Sequence, residues 1–277
     1  MPELPEVQRV VEQLRAGVVG TRITDVEVHR ASVVHGGRSR AALLAGDTLT
    51  KVLRHGKQLA MIGKSGRCIC LHLGMSGSLQ YRATSESQAP HDKHDHVIWC
   101  LAGGGRLVFH DPRRFGGLWT FNRLDDLRHI RWSRLGPDAL HITPRCLHHQ
   151  LSQTARCLKA VLLDQAILAG LGNIYVDELL FACELHPGVR AEKLSLTMTI
   201  KLIQKMRAIL KRAITSGGTT IRNYVGMDNR SGSYQYSLKA YGRANQPCYR
   251  CNHLLRITLL AGRTTVFCPQ CQQWCKG

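Results

Sequence analysis

Near the start of the chain, apolar side chains recur at the spacing of one helical face. These positions are Val7, Val10, Val11, Leu14 and Val18. A recurrence of three to four residues is the period of an amphipathic helix. Pro5 falls in the first turn, where a missing N–H group is tolerated. The pattern therefore predicts a helix over residues 3 to 18.

From about residue 22 to 125 the pattern changes to short apolar runs and partial alternation, which are typical of strands. The predicted strands are "ITDVEVHR", "LTKVLRHG", "QLAMIG", "RCICLHLG", "SLQYR", "HVIWCLA" and "RLVFH". Clusters of Gly, Ser, Asp and Pro separate them and indicate turns. Many short strands at this spacing favour an antiparallel sandwich or barrel.

From about residue 139 to 215 the period returns to that of helices. The predicted helices are "LHHQLSQTA", "CLKAVLLDQA", "NIYVDELLFACEL" and "LSLTMTIKLIQKMRAILKRAITS". The polar, glycine-rich stretch at 217–237 follows, and it is too long for an ordinary connection. Long loops of this kind often act as lids or binding loops.

The charge of the chain narrows the choice of partner. Its 277 residues suffice for two domains, and 38 Lys and Arg against 19 Asp and Glu give a net charge of +19. Such an excess favours a polyanionic partner, with nucleic acid ahead of an anionic membrane surface. The chain shows no strong basic amphipathic helix, no signal-peptide core and no long apolar run. We therefore expect no membrane partner and a cytoplasmic protein.

Four of the eleven cysteines have the spacing Cys-x2-Cys-x16-Cys-x2-Cys near the end of the chain. Two such pairs on a hairpin supply four thiolates for one tetrahedral ion. We therefore predict one structural zinc ion bound by Cys248, Cys251, Cys268 and Cys271. The other cysteines have no disulfide framework spacing, and Cys275 is interpreted as a bystander.

Two further segments suit a nucleic-acid backbone. Gly170 and Gly172 permit a tight turn before a helix that starts near Asn173, and free amides at a helix start suit a phosphate. Arg263 lies at the predicted tip of the cysteine hairpin, where it suits phosphate or minor-groove contact. Taken alone, the first segment is an ordinary helix connection, and a solvated turn residue is an equal alternative for Arg263.

Four stretches in order resemble one family. They are "MPELPEV" at the start, "HLGMSGSL" at 72–79, "DPRRFG" at 111–116 and "GLGNIYVDE" at 170–178, and "YGR" then leads into the cysteine tail. This combination is similar to that of the formamidopyrimidine-DNA glycosylases, which are bacterial base-excision repair enzymes. The resemblance covers the chain from Pro2 to Cys271.

The resemblance implies an α+β multidomain fold. An N-terminal helix and a two-layered antiparallel β-sandwich would form a catalytic domain over 2–130. A helical domain with a helix-two-turn-helix would follow over 131–243, and a zinc-finger β-hairpin would occupy 244–277. The order of predicted strands, helices and cysteines agrees with this arrangement.

The resemblance also implies a catalytic N-terminus. Once Met1 is removed, the Pro2 amine would attack C1′ of a nucleotide and form an iminium, and β/δ-elimination would follow. Glu3 would be the general acid/base, Glu6 a second acid near the amine, and Lys57 a contact to the phosphate beside the lesion. The structural alternative is a proline that starts a helix and acids that stabilise its dipole.

For DNA handling, the resemblance implies that Met75, Arg113 and Phe115 fill the space left by an extruded base. Arg113 would read the orphaned base, with cytosine preferred. The predicted phosphate contacts are His72, Asn173, Tyr241 and Arg263. Lys159 lies fourteen residues before Asn173 and matches a family lysine near the lesion, with a solvated helix lysine as the alternative. Residues 217–237 correspond to the lesion-capping loop.

We therefore expect a bifunctional DNA glycosylase and AP lyase that removes 8-oxoguanine and formamidopyrimidines from damaged double-stranded DNA. We further expect a monomer associated with the bacterial nucleoid. Two alternatives remain open. One is an endonuclease VIII-type glycosylase for oxidised pyrimidines, against which the "PELPE" start and the Met/Arg/Phe set argue. The other is a non-catalytic zinc-dependent DNA-binding protein, which would not need Pro2, Glu3, Glu6 and Lys57.

Overall fold

The computed structural model describes residues 2–84, 92–219 and 231–273. The chain divides into two compact units. Unit 1 comprises Met1–Arg134 and Ser216–Ser233, and unit 2 comprises Leu135–Thr215 and Tyr234–Gly277. The domain boundaries expected after residues 130 and 243 stay predictions.

Unit 1 opens with the predicted N-terminal helix, α1, which spans Leu4–Gly17. Its apolar face is buried completely, with Val7, Val10, Val11 and Leu14 each 0% exposed. Pro5 lies in the first turn, as its missing donor requires. The hydrophobic period therefore decides both the existence and the orientation of this helix.

The strands of unit 1 form two sheets, which confirms the predicted β-sandwich. They are β1 (Ile23–Val28), β2 (Val34–His35), β3 (Leu49–His55), β4 (Gln58–Gly63), β5 (Cys68–His72), β6 (Ser78–Arg82), β7 (Asp95–Leu101), β8 (Arg106–His110) and β9 (Gly117–Phe121). One sheet has the order β1-β7-β8-β6 and the other the order β2-β9-β5-β4-β3. All pairs are antiparallel except the short β2–β9 pair.

The core of unit 1 combines α1 with both sheets. Val10 of α1, Leu71 of β5 and Trp99 of β7 belong to one buried hydrophobic cluster. A short helix, α2 (Leu124–Ile130), covers a smaller cluster around Cys68. The strand pattern did not single out β2 or β9, and the helical pattern did not single out α2.

Unit 2 contains the predicted helical region and the cysteine hairpin. Its helices are α3 (Pro144–Ser152), α4 (Leu158–Leu163), α5 (Asn173–Cys183) and α6 (Leu196–Thr215). The hairpin predicted between the cysteine pairs is formed by β10 (Arg256–Leu260) and β11 (Arg263–Phe267), which pair in antiparallel fashion. No helix in the described ranges is both long and apolar enough for a membrane crossing.

Candidate active site, nucleic-acid interface and metal centre

The N-terminus of α1 carries two buried carboxylates beside Pro2. Glu3 is 2% exposed and Glu6 is 1% exposed. They form a reciprocal capping box, in which the Glu6 Oε2 atom accepts a hydrogen bond from the Glu3 N–H at 2.8 Å. Pro2 is also buried and directly precedes this cap. The helix start therefore holds two carboxylates in fixed positions next to the imino acid.

The second oxygen of Glu6 reaches the stem of the long loop. Its Oε1 atom accepts a hydrogen bond from the Thr219 N–H at 2.7 Å, and Arg9 donates to the Gly217 carbonyl at 2.8 Å. A Cβ atom at Gly218 would lie 2.9 Å from Glu6 Oε1, so the backbone approaches the carboxylate closely. Residues 220–230, the centre of the predicted lesion-capping loop, lie outside the described residues.

Lys57 and His72 lie near each other at one end of the five-stranded sheet. Lys57 is in the turn between β3 and β4 and is 8% exposed. Next to it, Gln58 pairs in register with His72 at the end of β5. Burial, with the charges of Arg131 and Lys57, lowers the pKa of His72 to about 4. His72 therefore offers a neutral imidazole near pH 7, which can donate or accept a hydrogen bond without carrying charge.

Met75, Arg113 and Phe115 lie on two exposed loops of unit 1. Met75 is 43% exposed and Phe115 is 55% exposed, so neither side chain is part of the core. The Arg113 guanidinium stacks on the Phe115 ring, 4.7 Å from its centroid. Exposed apolar side chains next to a guanidinium suit insertion between bases and contact with a base edge.

Lys159 in unit 2 is completely buried, with 0% exposure. Its Nζ atom lies 2.6 Å from Asp177 Oδ1 and 3.2 Å from the Thr264 carbonyl oxygen. Asn173 donates to the same carbonyl at 2.8 Å, and Asp177 accepts a hydrogen bond from the Val266 N–H at 3.1 Å. Burial raises the pKa of Asp177 to about 6, although the Lys159 charge opposes this effect. These groups bind β11 to α4 and α5 beside the exposed Arg263.

Glu178, the next residue of α5, fixes the segment that carries Tyr241. Its Oε1 atom accepts hydrogen bonds from the N–H groups of Lys239, Ala240 and Tyr241, at 3.0, 2.8 and 2.9 Å. Asp177 and Glu178 hold segments that carry predicted site residues, and the sequence interpretation missed both of them. The available signal was two adjacent acids inside an apolar helix, because buried carboxylates require partners.

The four predicted zinc ligands lie together in unit 2. The Sγ atoms of Cys248, Cys251, Cys268 and Cys271 are all within 4.8 Å of one another. The Cys251–Cys271, Cys251–Cys268 and Cys248–Cys271 sulfur separations are 3.4, 3.5 and 3.9 Å. Four sulfurs around a tetrahedral zinc ion, each about 2.3 Å from it, would be about 3.8 Å apart. The cluster therefore fits a tetrahedral metal ion with four thiolate ligands.

Comparison with known proteins gives one consistent result. Family models described as formamidopyrimidine-DNA glycosylase N-terminal domain and H2TH domain match residues 1–118 and 135–225. A formamidopyrimidine-DNA glycosylase from Bacillus anthracis is 36% identical over 277 residues, covering 98% of this chain and 99% of the relative.

Solved structures agree. A complex between the Lactococcus lactis Fpg and DNA containing an abasic site has a TM-score of 0.89 and 32% identity, covering 99% of this chain and 100% of that chain. The MutM (Fpg) protein from Thermus thermophilus has a TM-score of 0.86 and 34% identity, covering 98% of each chain.

Proposed function

The chain belongs to the formamidopyrimidine-DNA glycosylase family, and from this premise we propose how its own residues perform the reaction. It is a DNA glycosylase of base-excision repair that acts on damaged DNA, and AP lyase activity is typical of the family. We propose 8-oxoguanine and formamidopyrimidines in duplex DNA as its substrates. We further propose that it acts as a monomer at the bacterial nucleoid.

In the proposed mechanism the nucleophile is the Pro2 amine, freed by removal of Met1. A free α-amino group has a pKa of about 8, so part of it is neutral near pH 7. The amine nitrogen forms a bond to C1′, the bond from C1′ to the base breaks, and the base leaves with a proton. Glu3 donates a proton to the sugar ring oxygen as the ring opens, which gives the iminium.

The iminium then serves as the electron sink for strand cleavage. It acidifies the C2′ proton, which the Glu3 carboxylate accepts as the C3′–O bond to the 3′ phosphate breaks. A second elimination breaks the bond to the 5′ phosphate, and hydrolysis of the iminium by water releases the sugar and restores the amine. The observation that carries this proposal is the pair of buried carboxylates, Glu3 and Glu6, beside Pro2. Glu6 holds the N-terminal end in place and acts as the electrostatic partner of the amine.

The proposed DNA contacts are distributed over both units. Met75, Arg113 and Phe115 would enter the space left by the extruded base, and Arg113 would read the base opposite. The proposed phosphate contacts are Lys57, His72, Asn173, Tyr241 and Arg263. A contact between Lys159 and DNA stays a prediction, and its buried pair with Asp177 favours a role in positioning the hairpin.

The four-cysteine cluster supports a structural zinc ion as the cofactor. All four positions of a tetrahedral ion would be occupied by thiolates, which leaves no open position for catalysis. Zinc would fix the hairpin that presents Arg263.

Borohydride trapping tests the mechanism. The chain, with a free N-terminus at Pro2, is incubated with a duplex carrying 8-oxoguanine opposite cytosine and reduced during turnover. We expect a covalent adduct that maps to Pro2 by peptide mass analysis. A chain with a blocked N-terminus is the matched control and should give none. An adduct on another residue, or no adduct from the free chain, would overturn the proposal.

A further inference from the structure

Two loops at one end of the sandwich carry the three side chains proposed to enter DNA. Loop A, residues 73–77, runs from β5 to β6, and loop B, residues 111–116, runs from β8 to β9. Each loop therefore passes from one sheet to the other. Met75 projects from loop A, and Arg113 and Phe115 project from loop B.

Asp111, at the start of loop B, is completely buried, with 0% exposure. Its Oδ1 atom accepts a hydrogen bond from the Ser76 hydroxyl of loop A at 2.6 Å, and its Oδ2 atom accepts one from the Gly116 N–H at 2.8 Å. The Arg113 N–H group points at both, 3.2 Å from Ser76 Oγ and 3.3 Å from Asp111 Oδ1. The Ser76 hydroxyl and the Asp111 carboxylate thus both lie at the backbone N–H of Arg113, which is the proposed reader of the opposite base.

The backbones of the two loops also touch. Gly74 has a φ of +62°, and a Cβ atom there would lie 2.4 Å from the Phe115 carbonyl carbon and the Gly116 nitrogen. A Cβ atom at Gly116 would lie 2.6 Å from the His72 carbonyl oxygen. This spacing leaves no room for one loop to slide past the other. The two loops therefore form one block, with the Ser76–Asp111 hydrogen bond between them.

We infer that Ser76 and Asp111 are positioning residues that hold loop A and loop B as a single wedge, and that they set the place of Arg113 against the base opposite the lesion. The inference rests on the proposed function. Insertion of side chains into a base stack costs free energy. The total cost is smaller when the inserting loops are already ordered before DNA binds. Recognition of the opposite base by the paired N–H donors of Arg113 also depends on where the guanidinium lies. Opposite-base selectivity therefore depends on a hydroxyl that does not itself read the base.

The test compares Ser76→Ala, which removes the hydroxyl, with Ser76→Thr, which keeps it. Ser133→Ala is the control, because that exposed hydroxyl donates to the nearby His129 carbonyl. Single-turnover excision of 8-oxoguanine is measured opposite cytosine and opposite adenine. Because one hydrogen bond to a charged group is lost, we expect Ser76→Ala to reduce the cytosine-to-adenine rate ratio by about 10-fold. Ser76→Thr and Ser133→Ala should keep it.

A second readout follows insertion directly. A 2-aminopurine beside the orphaned cytosine reports unstacking, on a duplex that carries a stable abasic analogue and needs no excision. We expect a smaller fluorescence rise with Ser76→Ala than with the unchanged chain. Unchanged selectivity and unchanged fluorescence in Ser76→Ala, or failure of Ser76→Thr to restore them, would overturn the inference. If the unchanged chain excised no 8-oxoguanine, the proposed function would fail, whereas the fluorescence would still test the wedge.

Discussion

The carboxylate of Glu6 accepts a hydrogen bond from the backbone N–H of Thr219, 213 residues further along the chain. The other oxygen of the same carboxylate accepts from the Glu3 N–H. One buried side chain therefore connects the proposed catalytic N-terminus to the stem of the predicted lesion-capping loop. In both hydrogen bonds a backbone N–H group is the donor and a Glu6 oxygen is the acceptor. Both bonds therefore form only if both Glu6 oxygens are acceptors.

Glu6→Gln should impair base excision more than cleavage at an existing abasic site. The glutamine amide has one acceptor oxygen, so its NH₂ group must face a backbone N–H and leave it unpaired at a cost of about 1–3 kcal/mol. We expect the single-turnover rate of 8-oxoguanine excision to fall roughly 10- to 100-fold. Cleavage at a preformed abasic site, where there is no base for the loop to cap, should fall less.

Glu12→Gln is the matched control for this substitution, because Glu12 is exposed on the same helix and bonds to Gln8. It should leave both rates unchanged. An equal loss of both activities in Glu6→Gln would mean that Glu6 acts on the Pro2 amine alone and not through the loop stem.

His72 should stay neutral far below the ordinary titration range of histidine. NMR titration of the imidazole should give a pKa near 4, as opposed to about 6.5 for an unperturbed histidine. An unfolded chain takes up this proton first, so the His72 contribution to stability is lost as the pH falls from about 6.5 towards 4. A pKa near 6.5 in the folded chain would contradict the burial of the ring.

Arg131→Met should raise the pKa of His72, because the Arg131 charge disfavours the imidazolium. Arg131 also stacks on Trp119 and bonds to Gln58, so thermal unfolding should be recorded with the titration. Lys64→Met, which removes an exposed charge from the same unit, is the control. It should leave the His72 titration unchanged.

The sequence predicted the elements whose periodicity is strong. The face of α1 follows from apolar spacing, because it buries one continuous stripe. Seven of the strands follow from short apolar runs or partial alternation, and β4 is buried along its whole length. Other elements carry too little signal. The strand β9 follows directly on the exposed loop of Phe115, and α2 buries only Leu127. The positions of β9 and α2 are decided by contacts with segments that are distant in the sequence.

The same limit applies to the site. Motif matches singled out Pro2, Glu3 and the four cysteines as candidate site residues, because short sequence spacings carry those signals. The buried acids that hold the hairpin and the Tyr241 segment have partners far away in the sequence. Asp177 bonds to Val266 and Glu178 bonds to Ala240, at separations of 89 and 62 residues. Spacing within one helix cannot indicate such partners, although the presence of two acids in an apolar helix requires that they exist.

Metal analysis should find one zinc ion per chain. Cys268→Ser removes a predicted zinc ligand that is 0% exposed, so it should abolish metal binding and release the hairpin. Because the hairpin presents Arg263, DNA affinity should fall as well. Cys100→Ser is the control, since Cys100 lies beside Glu27 and outside the cluster. Native protein without zinc, or a Cys268→Ser chain with full zinc content, would contradict the assignment.

Substitution of Lys159 distinguishes a buried structural pair with Asp177 from a direct contact to DNA. Lys159→Met leaves Asp177 buried without its cation, which costs about 3–5 kcal/mol when one partner of a buried pair is removed. We expect a clear loss of thermal stability. Because the ammonium is 0% exposed, the dependence of DNA affinity on salt concentration should keep its slope.

A matched exposed lysine and a double substitution complete this test. Lys205→Met, on the exposed side of α6, should leave the stability nearly unchanged. Lys159→Met combined with Asp177→Asn should recover part of the lost stability, because no buried charge is then left unpaired. If Lys159→Met reduced the salt slope by about one unit while the stability stayed constant, Lys159 would be a phosphate contact. Loss of stability with an unchanged slope would assign Lys159 and Asp177 to a buried structural pair and not to a DNA contact.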